Sequence, residues 1–432
     1  MSRATIESLD HDGRGVAHVD GKVIFIEGAL TGEIVEYASF RTKPKYELAS
    51  VSRVVKASSQ RVSPPCPHFG VCGGCSMQHL HPVSQIAAKQ RVLEDALWHI
   101  GRLHPEQLYA PISGPALGYR YRARLSVRVA PNTGGVLIGF HQKRSNSVTA
   151  LESCAILPAA VSRLLPELKR LIASMSTPHR LPQIEIAIGA AQTALVLSHL
   201  EPLTENDRRH LREFADCHSV VWYLQSKGPE SVELFYPTDA SPLHYRLADF
   251  AVDLHFQPTD FTQVNHGVNQ MLVRRAMALL QPEAGERIAD FFCGLGNFSL
   301  PIARSGADVI GIEGSETLVA RAGANAAANG LAARCRFSVA NLFEMTPERF
   351  ARLGRLDKLL IDPPRDGAVD LVNALPASGH PQRIVYISCN PATLARDAAI
   401  LVRDKGYALR GAGIASMFPH TSHVESIALF EH

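Results

Sequence analysis

Apolar and polar residues alternate at period two through the first stretch of the chain, and that pattern changes twice before the end. "TIESL", "GVAHVDGKVIFIEG", "GEIVEYASF" and "YELASVSRVV" are short β-rich runs broken by Gly, Asp-Gly and Pro. They predict five strands and a small OB-like barrel over residues 1–57. "SPPCPHFGVCGGCSMQHLHP" has no period and reads as a loop. Helical spacing returns in "VSQIAAKQRVLEDALWHIGRL", a helix near 83–104 with the last domain as its packing partner. Within residues 110–260, strand-like runs ("RARLSVRVA", "GVLIGFH", "QIEIAIG", "TALVLSH", "SVVWYLQS") surround one helix near 159–174, so residues 58–262 are expected to form a central α+β domain. From 263 to 432, near-continuous apolar runs such as "ERIADFFCG", "ADVIGIEG", "LDKLLIDPP" and "RIVYISCN" alternate with helical segments such as "ETLVARAGANAAANG". That alternation predicts a doubly wound, mostly parallel α/β sheet, with "VESIALFEH" as its last strand.

Composition narrows this multidomain α/β picture. At 46% hydrophobic and 20% charged residues the chain is an ordinary soluble one. No apolar run nears the roughly 18 residues of a bilayer span, and "MSRATIESLDHDG" lacks a signal-peptide core. A cytoplasmic protein with no membrane partner is expected, acting as a monomer. Eight cysteines in that setting are reduced, metal-bound or catalytic rather than disulfide-paired. A net charge of +3 points to no partner, so any nucleic-acid contact must come from local patches. Two patches qualify. Arg41, Lys43, Lys45, Arg53, Lys56 and Arg61 face one acid, Glu47, with Phe40 and Tyr46 among them, a mixture suited to RNA backbone and bases. In "GYRYRARLSVRV", Arg120, Arg122, Arg124 and Arg128 share one strand face, opposite Tyr121, Ala123, Leu125 and Val127. Phosphate contact is expected there ahead of internal pairing.

Four constellations carry chemistry. Cys66, Cys72 and Cys75 stand at C-x5-C-x2-C spacing in a Gly-rich loop, and Cys154 is the nearest downstream cysteine. Four thiolates suit structural zinc or an iron–sulfur cluster, and spacing does not choose between them. Cys217 and Cys335 read as ordinary buried residues. In "IADFFCGLGNFSLPIA", a strand ends at Asp290, Gly294 and Gly296 make the turn, and Glu313 closes the next strand. This layout binds a nucleoside; without the third glycine of the dinucleotide pattern it favours S-adenosylmethionine over NAD. "LLIDPPRDG" fixes Asp362 at a strand end in a stiff turn. Finally, "YISCNPATLARD" places Cys389 between a strand and a helix opened by Asn390 and Pro391. The helix dipole is expected to favour its thiolate. A thiolate beside a methyl donor suits attack at C6 of uracil, which makes C5 nucleophilic; a base must then remove the C5 proton. Glu425 is the candidate base, with His423 as a competitor on the same strand face.

Taken together, "IESLDHDGRGVAHVDGKVIFIEGALTGE", "CPHFGVCGGCSMQHL", "FTQVNHGVNQ", "DFFCGLGNFSLPIA", "IDPPRDG", "ISCNPATLARD" and "HVESIALF" resemble bacterial RNA (uracil-5-)-methyltransferases from end to end, in particular those acting on 23S ribosomal RNA. The resemblance implies an N-terminal TRAM β-barrel, a central iron–sulfur domain with a [4Fe–4S] cluster on Cys66, Cys72, Cys75 and Cys154, and a Rossmann-like class I methyltransferase domain. It also implies that Gln263, Phe292, Asn297, Glu313, Asn341 and Asp362 hold S-adenosylmethionine, that Cys389 is the nucleophile and that Glu425 accepts the proton. Rival readings fit less of the chain. An amino-group methyltransferase leaves Cys389 idle and lacks the aromatic after "DPP"; a tRNA enzyme of this family lacks the TRAM and cluster segments. A cytosine-5 enzyme fits poorly the "NPAT" after the cysteine, and a non-catalytic RNA-binding module leaves the last domain unexplained.

Overall fold

The computed structural model describes residues 2–130, 134–377, 379 and 381–432. Its first sheet holds six strands: β1 (Ser2–Thr5), β2 (Ser8–Leu9), β3 (Gly15–Val19), β4 (Lys22–Glu27), β5 (Ile34–Thr42) and β6 (Tyr46–Lys56), in the order β1-β5-β6-β4-β3-β2. Six rather than five arise because "TIESL" bends at buried Ile6. Its N–H donates to Glu33 O at 2.9 Å, so β1 pairs with β5 while β2 turns to β3. Asp20 and Gly21, both at positive φ (49° and 77°), make the tight β3–β4 hairpin. Ile24, Ile26, Val35, Tyr37 and Ala49 fill the core of this unit.

Next, α1 (Pro82–Ala96) runs into a π-helical turn, Leu97–Gly101, and β7 (Gln107–Leu108) follows. The middle sheet contains β8 (Arg122–Val129), β9 (Val136–Gly139), β10 (Gln183–Ile188), β11 (Thr193–Ser198), β12 (Val220–Gln225) and β13 (Val232–Tyr236), ordered β13-β12-β11-β10-β8-β9. The helix expected near 159–174 is two pieces, α2 (Ala159–Ser162) and α3 (Leu164–Ala173). A further helix, α4 (Glu205–His218), was not anticipated, and it carries Cys217 exposed rather than buried. The hairpin β14 (Leu243–Leu247) and β15 (Val252–Phe256) then leads to α5 (His266–Leu280). A single apolar cluster joins Ala194, Val196 and Val221 of the middle sheet to Tyr245, Val268, Leu272, Val385 and Ile427, so the packing does not break near residue 262.

The last sheet is built from β16 (Arg287–Phe291), β17 (Asp308–Glu313), β18 (Cys335–Val339), β19 (Lys358–Ile361), β20 (Arg383–Ser388), β21 (Ala408–Ala415) and β22 (Glu425–Glu431). Helices α6 (Ser299–Arg304), α7 (Glu316–Ala328), α8 (Pro347–Ala351), α9 (Val369–Ala374) and α10 (Pro391–Arg403) alternate with them. The order is β18-β17-β16-β19-β20-β22-β21-β7, parallel from β18 to β20 with β22 antiparallel to both its neighbours. Chain direction through the sheet reverses between β16 and β19. Ligands of open α/β sheets bind outside the strand ends at such a point. Leu93 and Leu97 pack with Leu394, Ala395 and Leu401, which fastens α1 to this sheet. The approach is close: a Cβ on Gly101 would lie 2.9 Å from the Ala395 carbonyl oxygen.

Candidate active site

The turn after β16 is shaped by three left-handed residues, Phe292 (φ 63°), Gly294 (54°) and Gly296 (97°). A left-handed phenylalanine is costly and persists where its surroundings hold it; here the Phe292 N–H donates to Ile312 O at 2.8 Å. Glu313, at the end of β17, accepts from Gly294 N (3.2 Å), Gly314 N (2.7 Å) and Ser315 N (3.0 Å), so its carboxylate is set by backbone. Asn341 caps a short turn by accepting from Phe343 N at 3.1 Å, and the rings of Phe292 and Phe343 lie 5.8 Å apart. Gln263 is half-buried just ahead of α5. Glu313 and the Phe292–Phe343 pair thus border the turn, and the space beside Gly294 is open. Asn297 differs: its amide exchanges hydrogen bonds with Asn269 (2.9 and 3.0 Å) and accepts from the Tyr245 hydroxyl (2.9 Å). Its side chain braces the turn from behind.

Asp290 is a site residue whose state the sequence did not reveal. It is fully buried, accepts from the Ser299 hydroxyl at 2.5 Å, and has no partner on its second oxygen. Burial, with Asp362 and Glu313 nearby, pushes it up to about 7.

On the acceptor side, β20 and β22 pair Ser388 with Ser426, so Cys389 and Glu425 come next along the register. Asn390 caps α10 by accepting from Ala392 N at 3.1 Å, with Pro391 at the first helical position. The loop after Asp362 is tied to the same helix start, because Asn390 Nδ2 and Thr393 Oγ1 both donate to Arg365 O (3.0 and 3.2 Å). Thus Cys389, Asp362, Arg365 and Glu425 lie together. The helix dipole does not set the thiol: burial, then Glu425 and Asp362, pushes Cys389 up to about 11, opposed by Arg365. Two carboxylates and desolvation outweigh one helix terminus, and the expected resting thiolate is corrected to a thiol. Asp362 is raised to about 7 by burial, and burial together with Asp362 raises Glu425 well above an ordinary carboxyl. His423 precedes β22 rather than lying in it. Its Nδ1 accepts from Arg365 Nη2 at 3.0 Å, and burial and that guanidinium lower its pKa, which makes it a poor base.

A second group of thiols lies in the loop before α1. Cys66, Cys72 and Cys154 are buried, Cys75 is half-buried, and all are unpaired. The loop is pinned where Gly73 N donates to His141 O at 2.9 Å, an approach that leaves no room for a Cβ. Burial pushes Cys75 up to about 12, and the charges of Cys154, Cys72 and Cys66 add to that rise, so the four thiols are neighbours. Among the described residues, no three His, Cys, Asp or Glu side chains stand arranged to hold a metal ion.

Both basic patches need revision. Arg61 is not an RNA-facing residue: its guanidinium clasps buried Glu33 at 2.6 and 2.7 Å. Arg41, Lys43, Lys45, Arg53 and Lys56 remain exposed. Arg124 is paired with Glu185 at 2.8 Å, directly opposite it on β10. Arg122 lies 3.9 Å from Glu185 and donates to Thr259 O (2.8 Å) and Asp260 O. Internal pairing, rather than phosphate, compensates these two. None of the described helices is long and apolar enough to cross a membrane.

Comparison with known proteins places the chain. Residues 83–432 match the tRNA (Uracil-5-)-methyltransferase family and residues 2–50 match the TRAM domain. A protein of Aromatoleum aromaticum named 23S rRNA (uracil(1939)-C(5))-methyltransferase RlmD is 62% identical over all of both chains; one of the same name from an Azoarcus species is 61% identical over the same extent. The crystal structure of Pyrococcus abyssi tRNA (uracil-54, C5)-methyltransferase with S-adenosyl-L-homocysteine matches 99% of this chain and 100% of its own, at 25% identity and a TM-score of 0.75. The chain, a TRAM domain followed by a methyltransferase fold, belongs to the tRNA (Uracil-5-)-methyltransferase family.

Proposed function

We propose that this protein methylates C5 of a uracil in 23S ribosomal RNA, the uridine 1939 position named for its 62% identical relative, with S-adenosylmethionine as donor. The observation that carries the reading is the convergence of Cys389, Glu425 and Asp362 at the ends of β20, β22 and β19. Gln263, Phe292, Glu313, Asn341 and Asp362 would hold the donor, with Asn297 bracing the turn. Bound there, S-adenosylmethionine supplies an electrophilic methyl group and a positive sulfonium.

The residues divide the work. Cys389 must lose its proton before it attacks, and Arg365 is the local positive charge that favours this. Its sulfur bonds to C6, the uracil ring carries the charge as an enolate, and C5 takes the methyl group. Glu425 then accepts the C5 proton; the C5–H electron pair restores the C5–C6 double bond and expels the Cys389 thiolate. A raised carboxyl pKa makes Glu425 a stronger base than a solvated carboxylate, provided it is ionised when its turn comes. Because Asp362 helps to raise Glu425, a positive charge beside them eases that ionisation.

Cys66, Cys72, Cys75 and Cys154 are read as the ligands of a [4Fe–4S] cluster. The fit rests on four soft donors, three buried and one half-buried, that burden one another with charge and have an apolar wall around Cys72 and Cys154. Such a cluster would tie the loop to the segment around residue 154. The exposed basic residues of β5, β6 and the turn between them, Arg41, Lys43, Lys45, Arg53 and Lys56, support RNA backbone contact by the TRAM domain. The reading is tested with 5-fluorouridine-substituted 23S RNA, because fluorine cannot leave as a proton does. A denaturation-resistant RNA–protein band should form with the wild type and be absent with Cys389→Ala. No band with the wild type overturns the mechanism.

A further inference from the structure

The segment that delivers Glu425 rests on a support that the reaction scheme does not use. Residues 416–424 link β21 to β22. Lys89 of α1, 2% exposed, donates to the Phe418 carbonyl at 2.7 Å, and among the described residues no carboxylate pairs with it. Burial pushes its pKa down to about 7. An amine placed so deep, with a single carbonyl partner, is costly unless the contact matters. One turn earlier, Gln85 Oε1 accepts from the His420 N–H at 2.8 Å, and Gln85 Nε2 meets His420 Nδ1 at 3.1 Å. Gln85 Nε2 also donates to Leu80 O at 2.8 Å, in the segment that follows the cysteine loop. From the other side, Ser76 N and Met77 N both donate to His420 O at 2.9 Å, and Ser422 N donates to Ser76 Oγ at 3.1 Å.

The shape being held is a strained one. His420 has φ 66°, a left-handed conformation for a residue with a Cβ. Such conformations persist where neighbours over-determine them, and they gather at working sites. Five residues beyond His420 stands Glu425, fully enclosed beside Asp362. Glu425 opens β22 opposite Ala415, so a loop free to relax at His420 would pull on that strand end and turn its carboxyl, whereas Cys389 follows β20 on the far side and is held by the start of α10.

We propose that Gln85 and Lys89 are positioning residues for proton removal: they clamp residues 416–424 in the strained form that points Glu425 at C5 of the uracil adduct. The proposal rests on the reading of Cys389 and Glu425 above. It assigns to α1 an effect on one step only. The C5 proton passes to Glu425 and the C6–S bond breaks late in the cycle; attack by Cys389 comes before it and does not depend on the clamp.

The test uses full-length holoenzyme carrying Lys89→Met or Gln85→Met, unbranched replacements of similar size. Two rates are measured: trapping on 5-fluorouridine RNA, which reports attack and methyl transfer, and decay of the methylated covalent adduct on ordinary RNA. The expected result is trapping within about twofold of the wild type with adduct decay slowed roughly tenfold to 100-fold, as a misplaced catalytic group requires. An intermediate band should then accumulate on unmodified RNA. Equal slowing of both rates would show a general packing defect, and unchanged decay would show an idle contact; either overturns the proposal. Should Lys89→Met fail to fold, Gln85→Met alone decides by the same two rates. If the wild type itself forms no adduct with fluorinated RNA, the reading of the reaction fails rather than the clamp.

Discussion

Two groups of cysteines in this protein are at least half-buried, and burial raises the thiols of Cys72, Cys75, Cys154 and Cys389, yet the groups differ in their neighbours. Cys389 is surrounded by Glu425, Asp362 and Arg365, at the meeting of two strands and a helix terminus. Cys66, Cys72, Cys75 and Cys154 chiefly face one another, in a loop pinned to the middle sheet by Gly73 and His141. The difference teaches that burial alone does not give a thiol its role. Carboxyls and a guanidinium beside one sulfur provide proton acceptors and a switchable charge, which is what a nucleophile needs. Four neighbouring sulfurs, held by neutral donors such as Gly74 N on Cys72 and Gln78 on Cys75, provide a donor set of the kind a soft metal centre uses.

The largest effect should fall on the single thiol. Cys389→Ala is expected to lower methylation by roughly 1,000-fold or more, while calorimetric affinity for S-adenosylmethionine stays near the wild-type value. Comparable activity in the variant would erase the contrast. The other group should respond in stability and colour. Anaerobic wild-type protein is expected to be brown with about four irons per chain, and Cys75→Ser is expected to lose both. The variant's melting temperature should fall by about 5 °C or more. Colourless wild-type protein with stoichiometric zinc would reassign the site.

A subtler effect concerns the carboxyls that only the first group possesses. Asp290 and Asp362 sit at about 7, above their unfolded values, so the folded protein holds extra protons between roughly pH 4 and 7. Their contribution favours the folded state at low pH and is lost as pH rises through 7. A cationic donor bound beside them favours their ionised forms. Binding near pH 6.5 should therefore release up to about one proton, read from calorimetry in buffers of differing ionisation enthalpy. Proton uptake would mean that the donor sits elsewhere.

The smallest effect separates two sets of basic residues. Lys43→Ala and Lys45→Ala in the exposed turn between β5 and β6 should each flatten the slope of log RNA affinity against log salt by up to about one. Arg122→Ala should leave the slope unchanged, since that guanidinium already serves Thr259 and Asp260. A flattened slope for Arg122→Ala would return it to the RNA surface.

The legible parts of the molecule were those whose cause is local. Apolar runs such as "RIVYIS" gave the parallel strands, and Asn390-Pro391 marked a helix start that the structure confirms through the Asn390 cap. Helix α4 escaped because only Leu211, Phe214 and Ala215 among its apolar positions are buried; its signal was the capping box of Thr204 with Asp207. The bend at Ile6 escaped because it follows from a bond to Glu33. Non-local partners hid the rest. Arg124 finds Glu185 61 residues away, and Lys89 and Gln85 find their carbonyl and histidine 329 and 335 residues away. Cys389 was misjudged for the same reason: its helix terminus is visible in the sequence, whereas the carboxyls that raise it arrive from other strands.

The most direct test of the account is the fate of RNA on Glu425→Gln. A glutamine keeps the side chain's size and removes its ability to accept the C5 proton. Cys389 should still attack and the methyl group should still transfer. The account predicts a methylated, denaturation-resistant RNA–protein adduct that accumulates on unmodified RNA and decays roughly 100-fold or more slowly than in the wild type, with no such band for His423→Gln. Normal turnover by Glu425→Gln, or an adduct trapped only by His423→Gln, would contradict it.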